Sequence, residues 1–149
     1  GLERAATMST WVAGERKARY LAHAAQIAAV LGQREKARAL LHDLDTESRV
    51  PESGVTAAQV LHARAELAWL DGETAEAQRR MHAAREVLQQ QGAVIEAARI
   101  RVRLAELLAR QGDLGAAHME LSAAESVFQS AGARGYLDRC RAVRNGLGS

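Results

Sequence analysis

"LLARQGDLGAAHMELSAAE", Leu107 to Glu125, is one Ala/Leu-rich run split in the middle by "QGDLGAA". Glycine costs about 1 kcal/mol against alanine inside a helix. Its place between two helix-forming stretches therefore marks a stop. Gly32, Gly72 and Gly112 recur at intervals of 40 residues. Shifting the chain by that interval aligns Ala18 with Ala58 and Ala98, and Tyr20 with Val60 and Ile100. Ala25, Ala65 and Ala105 coincide, as do Ile27, Leu67 and Leu107. Beyond the glycines fall Ala37, Ala77 and Ala117, then Leu41, Met81 and Leu121, then Leu44, Ala84 and Ala124. Gly92 and Gly132 match each other between the later copies. Three glycines and three large apolar columns in register, without a gap, define an internal repeat.

On both sides of each glycine, apolar residues recur at three and four positions, as on one helix face. Each copy reads as a helix, a tight turn and an antiparallel helix. Glycine fits the turn because a helix commonly ends on a left-handed residue. Asp113 is placed to cap the helix that follows, and Thr56 with Gln59 resembles a capping box. The pattern predicts helices near 10–31, 34–48, 56–71, 74–90, 93–111, 114–130 and 133–145. "DTESRVPESG", Asp45 to Gly54, reads as a loop between the first two copies.

The composition agrees with an all-α chain. Of 149 residues, 48% are hydrophobic but only 3% aromatic. Alanine, at 32 copies, makes up the difference, and proline occurs once, at Pro51. A core built from alanine requires helices that approach closely. The formal net charge is only +2, which argues against a nucleic-acid surface. The single cysteine, Cys140, excludes an internal disulfide framework and points to a reducing, cytoplasmic setting. No apolar run approaches the roughly 20 residues that span a bilayer. The chain begins with Gly1 and reads as a fragment of a larger protein.

These columns resemble the tetratricopeptide repeat. Ala105, "QGDL" (Gln111 to Leu114), Ala117, Leu121 and Ala124 show the likeness best, with "DGETAEA" (Asp71 to Ala77) and "LGQREKA" (Leu31 to Ala37) as fainter versions. The period of 40 exceeds the family's usual 34. The aromatic positions of its first helix are mostly Leu or Ala, and its closing proline is missing. "FQSAGARGYLDRCRAV", Phe128 to Val143, is similar to repeat ends in large bacterial regulators that carry a nucleotide-binding module and a LuxR-type DNA-binding domain. HEAT repeats also have periods near 40 and remain an alternative; the turn glycines and small-residue columns favour the tetratricopeptide likeness. The resemblance implies one domain over 1–149, an α-α superhelix of three hairpins. Its repeats fall at about 16–50, 56–92 and 93–132, with a capping helix at 133–146.

In that family the first helix of each pair lines a concave groove. The positions carried over are Arg19, His23 and Gln26; then Gln59, His62, Glu66 and Trp69; then Arg99, Arg103, Glu106 and Arg110; and Arg139 on the last helix. Val102 falls among them. Arg99 and Arg103, four apart, project from the same helical face. They either pair with Glu96 and Glu106 or offer planar forks to a carboxylate or phosphate. They match positions where chaperone-binding members hold a terminal carboxylate, but Ala22, Gln26 and Ala63 stand where that clamp needs asparagine or lysine, so it is not expected. Trp69 reads as a peptide anchor or as packing at a helix end. Trp11 reads as a cover over an apolar end.

No nucleophile with a base, phosphate loop or carboxylate pair is found, so an enzyme is not expected. His42 and His82 fall on equivalent outer positions, and His23 and His62 on the groove. No histidine pair has a metal-binding helical spacing, so all read as surface residues and no metal or cofactor is expected. Cys140 and Met81 read as core. Glu66 and Glu106 interrupt any basic stripe that nucleic acid would require. The expected function is a protein- or peptide-binding module, the interaction or sensor part of a bacterial regulator. The alternative is a small-molecule-sensing domain of a transcriptional regulator. Homodimerisation through an uncapped end is a further expectation, since "GLERAATMST" (Gly1 to Thr10) is a weak cap.

Overall fold

The computed structural model describes residues 2–47 and 54–147, with side chains from 13 to 46 and from 54 to 147. The described residues are all-α. In chain order they form α1 (Leu2–Val30), α2 (Arg34–Glu47), α3 (Gly54–Leu70), α4 (Thr74–Gln90), α5 (Val94–Arg110), α6 (Leu114–Ala131) and α7 (Arg134–Leu147). The helices from the second onward start and stop within about two residues of the expected bounds. α1 starts well before residue 10. Thr56 lies inside α3 and is buried, so it does not cap; α3 already begins at Gly54. Residues 48–53 of the expected loop, and the side chains of Trp11 and of residues 1–10, lie outside the described residues.

The turn at Gly112 explains why the helices end where they do. Its φ of +87° is left-handed, a conformation that costs other residues roughly 1–2 kcal/mol. From there its N–H donates to the Ala109 carbonyl, and the Asp113 N–H donates to the Leu108 carbonyl, both at 3.0 Å. This is the Schellman arrangement, which satisfies the last carbonyls of a helix. The same pair of bonds recurs at Gly32, Gly72, Gly92 and Gly132. From Gly72 onward the turns are spaced 20 residues apart, half the interval that the sequence repeats. The residues whose carbonyls accept from the residue after the glycine (Ala28, Ala68, Leu88, Leu108 and Phe128) are all buried. After Gly112, the Asp113 side chain accepts from the Ala116 N–H at 3.1 Å, as its position predicts.

Three-residue turns make α1 and α2, α3 and α4, and α5 and α6 antiparallel neighbours, and α7 lies on α6. Between these pairs the packing differs. α1 packs on α3 while α2 barely touches it; further on, α4 packs broadly on α5. The buried residues form two clusters that meet in α3. One joins α1, α2 and the Val60–Leu67 side of α3. The other runs from Ala58, Ala65 and Ala68 through α4, α5 and α6 to Cys140. Cys140 is fully buried, and its Sγ–H donates to the Leu121 carbonyl at 3.5 Å. Burial pushes its thiol up, in keeping with a core role.

The alignment of Tyr20 and Ile27 with core columns does not hold for α1. Tyr20 is 70% exposed and Ile27 47%, whereas Val60, Leu67, Ile100 and Leu107 are buried. The reason is that a helix of this chain covers α3 and α5 at those positions, and among the described residues none covers α1.

Candidate functional site

α1, α3 and α5 turn one side each toward a common cleft, with α7 closing its far end. The cleft holds about 170 Å³. Gln26, Gln59 and His62 line it from α1 and α3, Arg99, Arg103 and Glu106 from α5, and Arg139 from α7. Its apolar lining includes Val30, Val55, Ala58, Leu88, Ile100, Val102 and Phe128, and Tyr136 and Glu96 complete it. The other expected groove residues lie elsewhere. Arg19 and His23 are exposed on α1, although Gln59 Nε2 comes within 3.5 Å of His23 Nδ1. Glu66 sits below the lining, 2% exposed. Trp69 and Arg110 stand together near the helix ends, the guanidinium 5.4 Å from the ring centre.

Under the cleft runs a chain of hydrogen bonds that crosses three helices. Gln26 donates from Nε2 to His62 Nδ1 at 2.8 Å. His62 donates from Nε2 to Glu66 Oε2, also at 2.8 Å. The two bonds together require a neutral imidazole with its proton on Nε2. Arg103 grips Glu66 with two bonds, Nε to Oε2 at 2.8 Å and a terminal nitrogen to Oε1 at 2.6 Å. Its other terminal nitrogen reaches Glu106 Oε2 at 3.2 Å. Its guanidinium also lies 4.8 Å from the Trp69 ring centre. A buried carboxylate is costly unless it is paired and fully bonded. Burial alone would raise the Glu66 carboxyl, but the hydrogen bonds from Arg103 and His62 outweigh it and hold the group at about 2. The same partnership raises the Arg103 guanidinium against its own burial.

Arg103 is thus committed to two carboxylates and a ring, a structural role that covers one of the two readings of its position. Arg99 is not. It lies over Tyr136, 5.0 Å from the ring centre, and Tyr136 stacks on Phe128 at 5.5 Å. Arg99 and Arg139, both exposed, pair with no carboxylate among the described residues, Glu96 included. A guanidinium held over a ring face still has N–H donors that no carboxylate occupies. The cleft therefore presents two available cationic groups beside an apolar floor.

His62, expected at the surface, is 5% exposed. The signal that reveals it is the spacing to Glu66, one helical turn on, which makes the pair neighbours on one face. Tyr136 had no such signal, because its role depends on how α7 lies across α5. Among the described residues no three His, Cys, Asp or Glu side chains are grouped to hold a metal ion, and no helix is long and apolar enough to cross a membrane. No family model, curated protein or solved structure matches this chain.

Proposed function

We propose that the chain is a non-catalytic, tetratricopeptide-like binding module from a bacterial regulatory protein. In this reading α1–α2, α3–α4 and α5–α6 are three stacked hairpins of an α-α superhelix and α7 is its cap. The cleft holds an extended or helical segment of a partner protein. The observation that supports it is convergence: groove residues from three separate first helices, 40 residues apart, line one cleft that also offers unpaired Arg99 and Arg139. The hydrogen-bond chain beneath fixes the floor before any partner arrives, so little order is lost on docking. The cleft volume of about 170 Å³ suits a side chain or two. It falls below the roughly 300–1,000 Å³ of typical small-molecule pockets, which favours the peptide over the small-ligand alternative.

A displayed peptide library tests the proposal. Peptides selected on the wild-type chain are expected to bind about tenfold or more weaker when Arg99→Ala and Arg139→Ala are combined, as loss of one or two charge-assisted bonds implies. Failure to select any peptide, or selected peptides indifferent to the double substitution, removes the groove from consideration. A metabolite that raises the melting temperature while no peptide binds would establish the sensor instead.

A further inference from the structure

Positions 19, 59, 99 and 139 fall at the 40-residue step, one on each of α1, α3, α5 and α7. They hold Arg19, Gln59, Arg99 and Arg139, a row of hydrogen-bond donors with no acid among them. The last three line the cleft. Tyr136 and Arg139 stand one turn apart on α7 and share a face. Arg99 of α5 lies over that tyrosine ring, 5.0 Å from its centre. The ring in turn stacks on the buried Phe128, with centres 5.5 Å apart and an interplanar angle of 29°. A core side chain thus fixes the ring, and the ring fixes the guanidinium. Two arginines come to one corner, where α7 meets α5.

The charges around this corner can be counted. Glu96, exposed one turn before Arg99, is the acid of the lining at this end, and neither arginine pairs with it. Arg134 and Asp138 of α7 lie outside the lining. Toward the other end Arg103 faces both Glu66 and Glu106, so the excess there is negative. The corner keeps a single positive charge over, and one carboxylate neutralises it. A phosphate monoester, at about −1.5 to −2, would overcompensate beside Glu96. The guanidiniums stand exposed at the rim, beside a floor that includes Leu88, Ile100 and Phe128. Residues two apart in an extended chain face the same way, about 7 Å apart, so one can seat on the floor while the next reaches the rim.

On the reading that the cleft holds a partner segment, we propose that this corner is a subsite for one acidic side chain of that segment, carried within two residues of an apolar one. Arg99 and Arg139 hold the carboxylate through charge-assisted bonds. Tyr136 is the positioning residue for Arg99, and it acts through its ring rather than its hydroxyl.

The probe is 4-methylpentanoate, a carboxylate on a leucine-like chain, titrated into the 149-residue protein while NMR follows the arginine Nε–H signals. Saturating shifts are expected at Arg99 and Arg139, with a Kd of roughly 1–10 mM for so few atoms. 4-Methylpentanamide and inorganic phosphate should bind at least about fivefold weaker. Arg139→Gln should weaken the carboxylate about tenfold with circular dichroism unchanged. Tyr136→Leu should weaken it too, and Tyr136→Phe should restore what the leucine loses. No saturation at these two arginines, or equal binding of the amide or of phosphate, overturns the proposal. A Tyr136→Leu loss that phenylalanine does not rescue overturns the positioning role. Sequences selected from the displayed library, resynthesised with acetylated and amidated ends, should carry Asp or Glu within two residues of an apolar side chain. Acid-free peptides that bind equally well overturn the proposal while leaving the binding module standing. Failure to select any peptide counts against the module, and the carboxylate titration is read without it.

Discussion

Where α1 and α2 close on α3, the interior is mostly alanine, and its larger members are Leu21, Leu41, Leu44, Val60 and Leu67. From α4 to α7 it holds Met81, Leu88, Ile100, Leu104, Leu107, Leu121 and Phe128. The joints differ accordingly. α4 lies broadly against α5, but α2 meets the next pair chiefly through polar reach. Arg34 donates to the Leu70 carbonyl, Arg38 takes both oxygens of Asp71 at 2.9 and 2.8 Å, and Arg64 takes both of Asp45. Exposed pairs of this kind contribute at most about 1 kcal/mol, while one fully buried large side chain contributes about 1.5–3. The contrast teaches that equal spacing along a chain does not imply equal cohesion. The N-terminal joint rests on close methyl contacts and surface charge, the C-terminal one on volume.

The largest effect should come from the C-terminal interior. Phe128→Ala is expected to cost about 3–5 kcal/mol in denaturant unfolding. Leu44→Ala, equally buried, should cost nearer 2–3 kcal/mol, with faster hydrogen exchange confined to α1 and α2. Equal losses spread over all helices would erase the distinction between the two regions.

Glu66 lies where they meet. Glu66→Gln leaves Arg103 and His62 facing a neutral group and should destabilise by about 3 kcal/mol at neutral pH. The carboxyl is held at about 2 in the fold against an ordinary 4.5. Its contribution is therefore fully present above 4.5 and is lost as pH falls through about 2. Unfolding curves from pH 6 down to 2 should show that loss, about 3 kcal/mol, in the wild type and not in the variant. Parallel curves would mean that the buried pair adds nothing to the joint.

The smallest effect belongs to the surface. A double-mutant cycle on Arg38 and Asp71 should give a coupling below about 1 kcal/mol that fades in high salt. A larger, salt-resistant value would move the N-terminal joint into the same class as the C-terminal one.

Much of this was legible in the residues. Glycines mark the turns at 32, 72, 92, 112 and 132, Asp113 adds a side-chain cap after one of them, and apolar spacing places the helices. Gly92 and Gly132 also carried the finer 20-residue step, though matching whole copies obscured it. What could not be read depends on neighbours. Tyr20 and Val60 occupy equivalent positions, yet one faces outward because nothing among the described residues covers that side of α1. The groove positions taken from α1, α3 and α5 did converge in part. Glu66 and Arg103, however, were drawn below and along the wall by each other's charge. The bidentate fit of a guanidinium to a carboxylate 37 residues away is a property of how α3 and α5 lie, not of either segment.

The alanines at the helix contacts have one more consequence. Ala25, Ala63, Ala65 and Ala105 are wholly buried. A methyl group has no rotamer to yield, so a bulkier replacement must push two backbones apart. The width of the cleft's mouth is thus governed by atoms that never touch its contents. Selection for a wider or narrower occupant could proceed by exchanging hidden alanines for glycine or serine, leaving every exposed side chain as it stands.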